Sequence, residues 1–281
     1  MYLDNITEEL HSFGIDSEEV TIMKNGVPCT GIRVITGSSV SPVVYYSQGE
    51  TMDEFVARIN DAVAHTPDID ASPLSDIEFV LKNLYVSVQR MCLDENAVSK
   101  YFLNVEAILR IRFDLSGQEE SGSIKATEAI LKNAGITVEE AWEAARSNTL
   151  AELHVYSMEE ALGIESSGAG WMQTPLRVAT TESRTDGAAA LLFPDLFRGY
   201  CLANDANGCI ILPSSTQECL VILDDDAAEM CCDYDSLAEM VKTINETQVD
   251  PLIQMDPVVY RYDTASDSIR IVASAPVEGD D

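Results

Sequence analysis

Between Cys209 and Asp263 the chain places two short apolar runs, CIIL and CLVIL, on either side of the six-residue turn PSSTQE. Strands this close pair as a hairpin, because a parallel pair needs a crossover of about a dozen residues or more. A capped amphipathic helix follows, opened by Ser236-Leu-Ala-Glu239 with Leu237, Met240, Val241 and Ile244 on one face. A last strand pair is expected at 257–262 and 268–272, before a frayed tail PVEGDD. Upstream, the pattern predicts strands at 177–181 and 188–193, then a short helix from Pro194 to about Ala203. Strands and helices in this order exclude a doubly wound parallel sheet. They predict an α+β fold of two subdomains, with mainly antiparallel sheets covered by amphipathic helices.

The first half carries its own signals. Residues 1–12 read as a short helix, and Asn25-Gly26 is a hairpin turn inside a small antiparallel meander over 19–47. Thr51-Met-Asp-Glu54 is a capping box, in which hydroxyl and carboxylate each satisfy a free amide of the other's residue. It opens a helix over 52–64 whose Met52, Phe55, Val56, Ile59 and Val63 dock on the meander, and Thr66-Pro67 ends it. Beyond lie a helix at 74–82, a strand at 84–90, a helix at 94–101, a strand at 105–113 and a polar loop tip at 117–122. Residues 124–133 read as a strand passing into a helix closed by Gly135. Further capping boxes stand at Thr137–Glu140, opening a helix to about Asn148, and at Ser157–Glu160. The Gly-rich ESSGAGWMQT at 165–174 reads as a linker. The expected subdomains are therefore 1–155 and 175–275, joined by a short helix and linker over 156–174.

Charge narrows the function classes. The chain has 48 acidic and 17 basic residues, a net of −31. Such a surface repels nucleic acid and anionic membrane and argues against direct binding of either. The surplus of Arg over Lys, 11 to 6, would suit high internal salt, and carboxylates at phosphate positions would suit mimicry of nucleic acid. No apolar run approaches the roughly 20 residues of a membrane span, and the N-terminal segment lacks the pattern of a secretion signal, so the expected location is the cytoplasm. The seven cysteines contain no CxxC and are expected to be reduced and mostly buried.

Four segments resemble an uncharacterised bacterial family, a domain of unknown function common in gut anaerobes. They are GITVEEAWEAARSNT (135–149), GAAALLFPDLF (187–197), IILPSSTQECLVI (210–222) and the pair INETQVDP and VYRYD within 244–263. They fall in the family's order over some 130 residues, and the first half matches more loosely. The resemblance implies a fold but no activity. Where the family reads Leu-Pro-Ser-Ser-x-His-Glu, this chain has Gln217 in place of the histidine. A catalytic base at that position would be missing here.

No chemistry-bearing constellation stands out. Ser214 and Ser215 sit in no GxSxG elbow. The three histidines, His11, His65 and His154, stand apart. Asp224, Asp225, Asp226, Asp233 and Asp235 lack the alternation and central glycine of a calcium loop. Neither a P-loop nor GxGxxG is present. No catalytic residue, metal or cofactor is expected. From Gly199 to Val241, however, nine acids stand with no Lys or Arg. The leading expectation is a non-enzymatic cytoplasmic protein that binds a basic protein partner through Asp224, Asp225, Asp226, Glu229, Asp233, Asp235 and Glu239. A nucleic-acid mimic acting on a DNA- or RNA-handling protein is one alternative. A hydrolase-like site around Ser214, Ser215, Gln217 and Glu218 is another.

Overall fold

The computed structural model describes residues 6–38, 40–47, 49–67, 69–92, 97–114, 121–164, 174–231 and 233–276. Helix α1 (Ile6–Ser12) leads into strands β1 (Ser17–Lys24) and β2 (Val27–Val34). The tip between them, Asn25-Gly26, takes the two positive φ values that a two-residue hairpin requires, 49° and 77°. Strand β3 (Val43–Val44) completes a three-stranded antiparallel sheet, and α2 (Met52–Ala64) packs on it. The α2 capping box is formed as expected: Glu54 N donates to Thr51 Oγ1 at 3.3 Å and Thr51 N to Glu54 Oε2 at 2.9 Å. Ile6, Leu10, Ile32, Val34, Val44, Phe55 and Ile59 form a core of their own between helices and sheet. Each contributes about 1.5–3 kcal/mol on burial.

Asp76 caps α3 (Ile77–Asn83), which runs directly into β4 (Leu84–Arg90). Strands β5 (Ser99–Phe102), β6 (Val105–Asp114) and β7 (Ser121–Lys125) complete a second antiparallel sheet. β4 lies along one side of β6, while β5 and β7 pair with different stretches of its length. Helix α4 (Glu128–Ala134) ends at Gly135 in left-handed conformation, φ 74°. The second capping box then opens α5 (Val138–Glu152).

The third sheet has six strands, all antiparallel. They are β8 (Leu153–Ser157), β9 (Arg177–Thr181), β10 (Gly208–Leu212), β11 (Cys219–Leu223), β12 (Val258–Asp263) and β13 (Ser268–Ser274), in the order β13-β12-β10-β11-β9-β8. The helices of this part are α6 (Met158–Ala161), α7 (Pro194–Ala203), α8 (Asp224–Glu229) and α9 (Tyr234–Gln248). Alternation divides the sheet's side chains between two cores. Cys209, Ile211, Val221, Tyr260 and Tyr262 join the second sheet, α5 and α7 in a large core drawn from Val80 to Ile269. Ile210, Leu212, Ile222 and Val259 face the other way, onto Ala227 of α8 and Leu237, Ala238 and Val241 of α9. The fold is α+β, with antiparallel sheets and packed amphipathic helices.

Several local expectations are corrected. The helix at 94–101 is replaced in its described part by β5, which turns into β6 through Leu103-Asn104, with Leu103 at φ 52°. Leucine rarely takes the left-handed position of such a turn, so Asn104 was its one composition signal. Residues 188–193 form no strand; Gly187–Leu192 is a 3-10 helix, with Gly187 through Leu191 all buried. An apolar run buried all round has no periodicity to tell strand from helix. The acids at 224–229 form α8, and α9 starts at Tyr234, capped by Asp233 and not Ser236. Strand β8 carries no boundary signal of its own, because α5 extends to Glu152 and passes into it without a loop. The linker at 165–174 lies outside the described residues except for Thr174, as do most of the polar loop tip at 117–122, Cys232 and all of the tail but Pro276.

Candidate functional site

The acidic end of the molecule is built on α8 and α9. Helix α8 has no side-chain cap at Leu223, and its first turn is Asp224-Asp225-Asp226. Carboxylates there offset the positive pole of the helix dipole. Ala227 anchors α8 in the smaller core, and α9 buries Leu237, Ala238, Val241 and Asn245 against β12 and β13. Asp233 Oδ1 accepts from Ser236 N and its Oδ2 from Ser236 Oγ, both at 2.8 Å. These hydrogen bonds hold the Asp233 carboxyl below its usual pKa.

The seven acids predicted as one surface divide into two groups. Asp224 is half-buried and takes Arg261 Nη2 at 2.7 Å and Nε at 3.2 Å, while Arg261 Nη1 donates to Asp263 at 2.6 Å. The Arg261 side chain is only 14% exposed. Its guanidinium, aided by the Ser266 amide, lowers the Asp263 carboxyl to about 2. Gly208 makes room for the pair: a Cβ there would lie 2.7 Å from Asp224 Oδ2 and 2.9 Å from Arg261 Nη2. Asp224 and Asp233 are therefore engaged within the fold. Asp225, Asp226, Glu229, Asp235 and Glu239 have no cationic partner among the described residues; Asp226 is half-buried and the other four are exposed.

A cleft opens on either side of α8. One, of about 620 Å³, is lined by Asp224, Asp233, Tyr234, Arg261 and Arg270. The other, of about 690 Å³, is lined by Met158, Glu159, Arg177, Asp226, Glu229 and Met230. The acidic end thus carries three arginines delivered by β9, β12 and β13. A stretch of sequence free of bases gave no sign of them. Exposed apolar side chains accompany the acids, with Met230 47%, Tyr234 37% and Met240 40% exposed.

The predicted turn site is organised differently. Ser215 is 3% exposed, and its Oγ donates to Glu218 Oε1 at 2.8 Å and accepts from Gln217 N at 3.1 Å. Ser214 is also buried, and its carbonyl accepts from Met255 N at 3.1 Å. Gln217 works through its carbonyl, which accepts from Gly187 N at 2.9 Å and Thr180 Oγ1 at 2.8 Å, while its side chain reaches only the neighbouring Thr216. Thr216 N donates to Ile253 O at 2.8 Å. The turn ties together β9, the 3-10 helix at 187–192 and the segment before β12.

Other chemistry-bearing residues are dispersed. His11, His65 and His154 each lie beside a separate exposed carboxylate, Asp16, Asp61 and Glu182. Cys201, Cys209 and Cys219 are buried free thiols, and burial raises the Cys219 thiol well above its usual range. Among the described residues no three His, Cys, Asp or Glu side chains converge as metal ligands, and no helix is long and apolar enough to cross a membrane. Residues 3–264 match a family model described as a family of unknown function, DUF5688. No curated protein and no solved structure matches the chain.

Proposed function

We propose that this chain, which belongs to the DUF5688 family of unknown function, is a non-catalytic protein of the bacterial cytoplasm that docks a basic surface of a partner protein against α8 and the start of α9. The observation that carries this reading is the combination at that end. Asp225, Glu229, Asp235 and Glu239 are exposed without cationic partners among the described residues, beside the exposed side chains of Met230, Tyr234 and Met240. Charge steers an encounter and fixes its register, while desolvated apolar side chains supply most of the affinity. A smooth acidic surface lacks the second part.

The test compares the native chain with the triple variant Asp225→Lys, Glu229→Lys, Asp235→Lys in capture from a native cytoplasmic extract at low and high salt. The expected result is a basic partner held by the native chain at low salt, weakened at high salt and lost by the variant. A partner held equally by both chains, or none at either salt, overturns the reading.

A further inference from the structure

Residues 6–64 share little with the rest of the molecule. Their apolar side chains form a separate core, and their ion pairs, Arg33–Glu18 and Arg58–Glu50, are internal. Among the described residues, the hydrogen bonds that join them to the remainder centre on Asn25 at the β1–β2 tip. Its Nδ2 donates to Gln254 O at 2.6 Å, its Oδ1 accepts from Arg90 N at 2.8 Å and its carbonyl accepts from Arg90 Nε at 3.1 Å. Asn25 is 7% exposed although it sits at a hairpin tip, where polar residues ordinarily face water. Arg90 and Gln254 also wall a cavity of about 60 Å³ beside Asn245, whose Oδ1 is buried without a hydrogen-bond partner among the described residues.

We propose that residues 6–64 are a separately packed module latched to the rest of the chain by Asn25, and that its release loosens the wall of the cavity beside Asn245. The latch is polar and local, so it opens without disturbing either core. Hydrogen bonds of this kind are individually weak, and an element held by few of them opens more readily than a packed core.

The experiment is residue-resolved hydrogen exchange on the full chain. Asn25→Gly keeps the left-handed turn and removes the amide side chain. The Arg90 amide reports directly, because Asn25 Oδ1 is its acceptor. In the variant, exchange at Arg90 should rise at least about ten-fold, with Gln254 and Met255 following, while Val34 and Phe55 inside the module stay protected. A second variant closes the latch covalently. A Cβ at Gly26 would lie 3.9 Å from Cys92 Cβ, within disulfide range, so Gly26→Cys, whose strain at φ 77° is common to both redox forms, should slow Arg90 exchange when oxidised relative to the same protein reduced. Unchanged exchange at Arg90 in Asn25→Gly overturns the latch, and loss of protection at Val34 and Phe55 overturns the separate module. Faster Arg90 exchange with unaltered Gln254 and Met255 overturns the link to the cavity.

Discussion

The turn at 214–218 and the ridge formed by α8 and the start of α9 are one strand apart, and both are dense in polar side chains. In the turn, Ser215, Gln217 and Glu218 satisfy one another or tie neighbouring segments. On the ridge, Asp224 and Asp233 do the same, but five further carboxylates have no cationic partner among the described residues. Polar residues that close their own hydrogen bonds secure a fold. Those that leave charge at the surface are available to another molecule. Composition cannot separate these roles, because Asp224 and Asp225 are identical neighbours with opposite surroundings.

The comparison is most easily broken at Asp224. Asp224→Ala leaves the largely buried Arg261 with Asp263 alone, and urea denaturation should show a loss of about 2–3 kcal/mol. Next comes Ser215→Ala, which deprives Glu218 of a donor and the Gln217 amide of an acceptor, for a loss of about 1–2 kcal/mol in the same measurement. A change within error in either variant would blur the line between structural and free polar groups. Acid sharpens it further. The folded Asp263 carboxyl, at about 2, lies below its ordinary value of 3.8, so its contribution is present above about pH 4 and is lost as pH falls toward 2. Thermal unfolding of Asp263→Asn should therefore vary less with pH in that window than that of the native chain. The smallest stability effect belongs to the ridge: Asp225→Lys or Glu229→Lys should move stability by no more than about 0.5 kcal/mol, and relief of self-repulsion favours a small gain at low salt.

Where the sequence carried a local mechanism, the structure follows it in most places, the cap of α9 at Asp233 rather than Ser236 being the exception. The Thr51, Thr137 and Ser157 capping boxes and the Asn25-Gly26 tip are set by neighbouring residues. The 3-10 helix at 187–192 escaped notice because burial on all sides erases periodicity, and the 103–104 turn because leucine seldom turns a hairpin. At the acidic end, the carboxylates were legible as a cluster. Their division was not, since it depends on Arg261, 37 residues further along the chain from Asp224. The tie between Asn25 and Gln254, 229 residues apart, was likewise hidden.

Among the described residues the six-stranded sheet ends at β8 on one side and β13 on the other. An open edge presents a row of backbone donors and acceptors to any similar edge it meets. At neutral pH, copies of a chain carrying −31 repel one another before such edges can pair, so the same acidity also protects the sheet. As carboxylates take up protons in mild acid that protection fades while the edges remain. Edge-to-edge association, read as a rise in light scattering, is then the outcome expected of chains that are still folded.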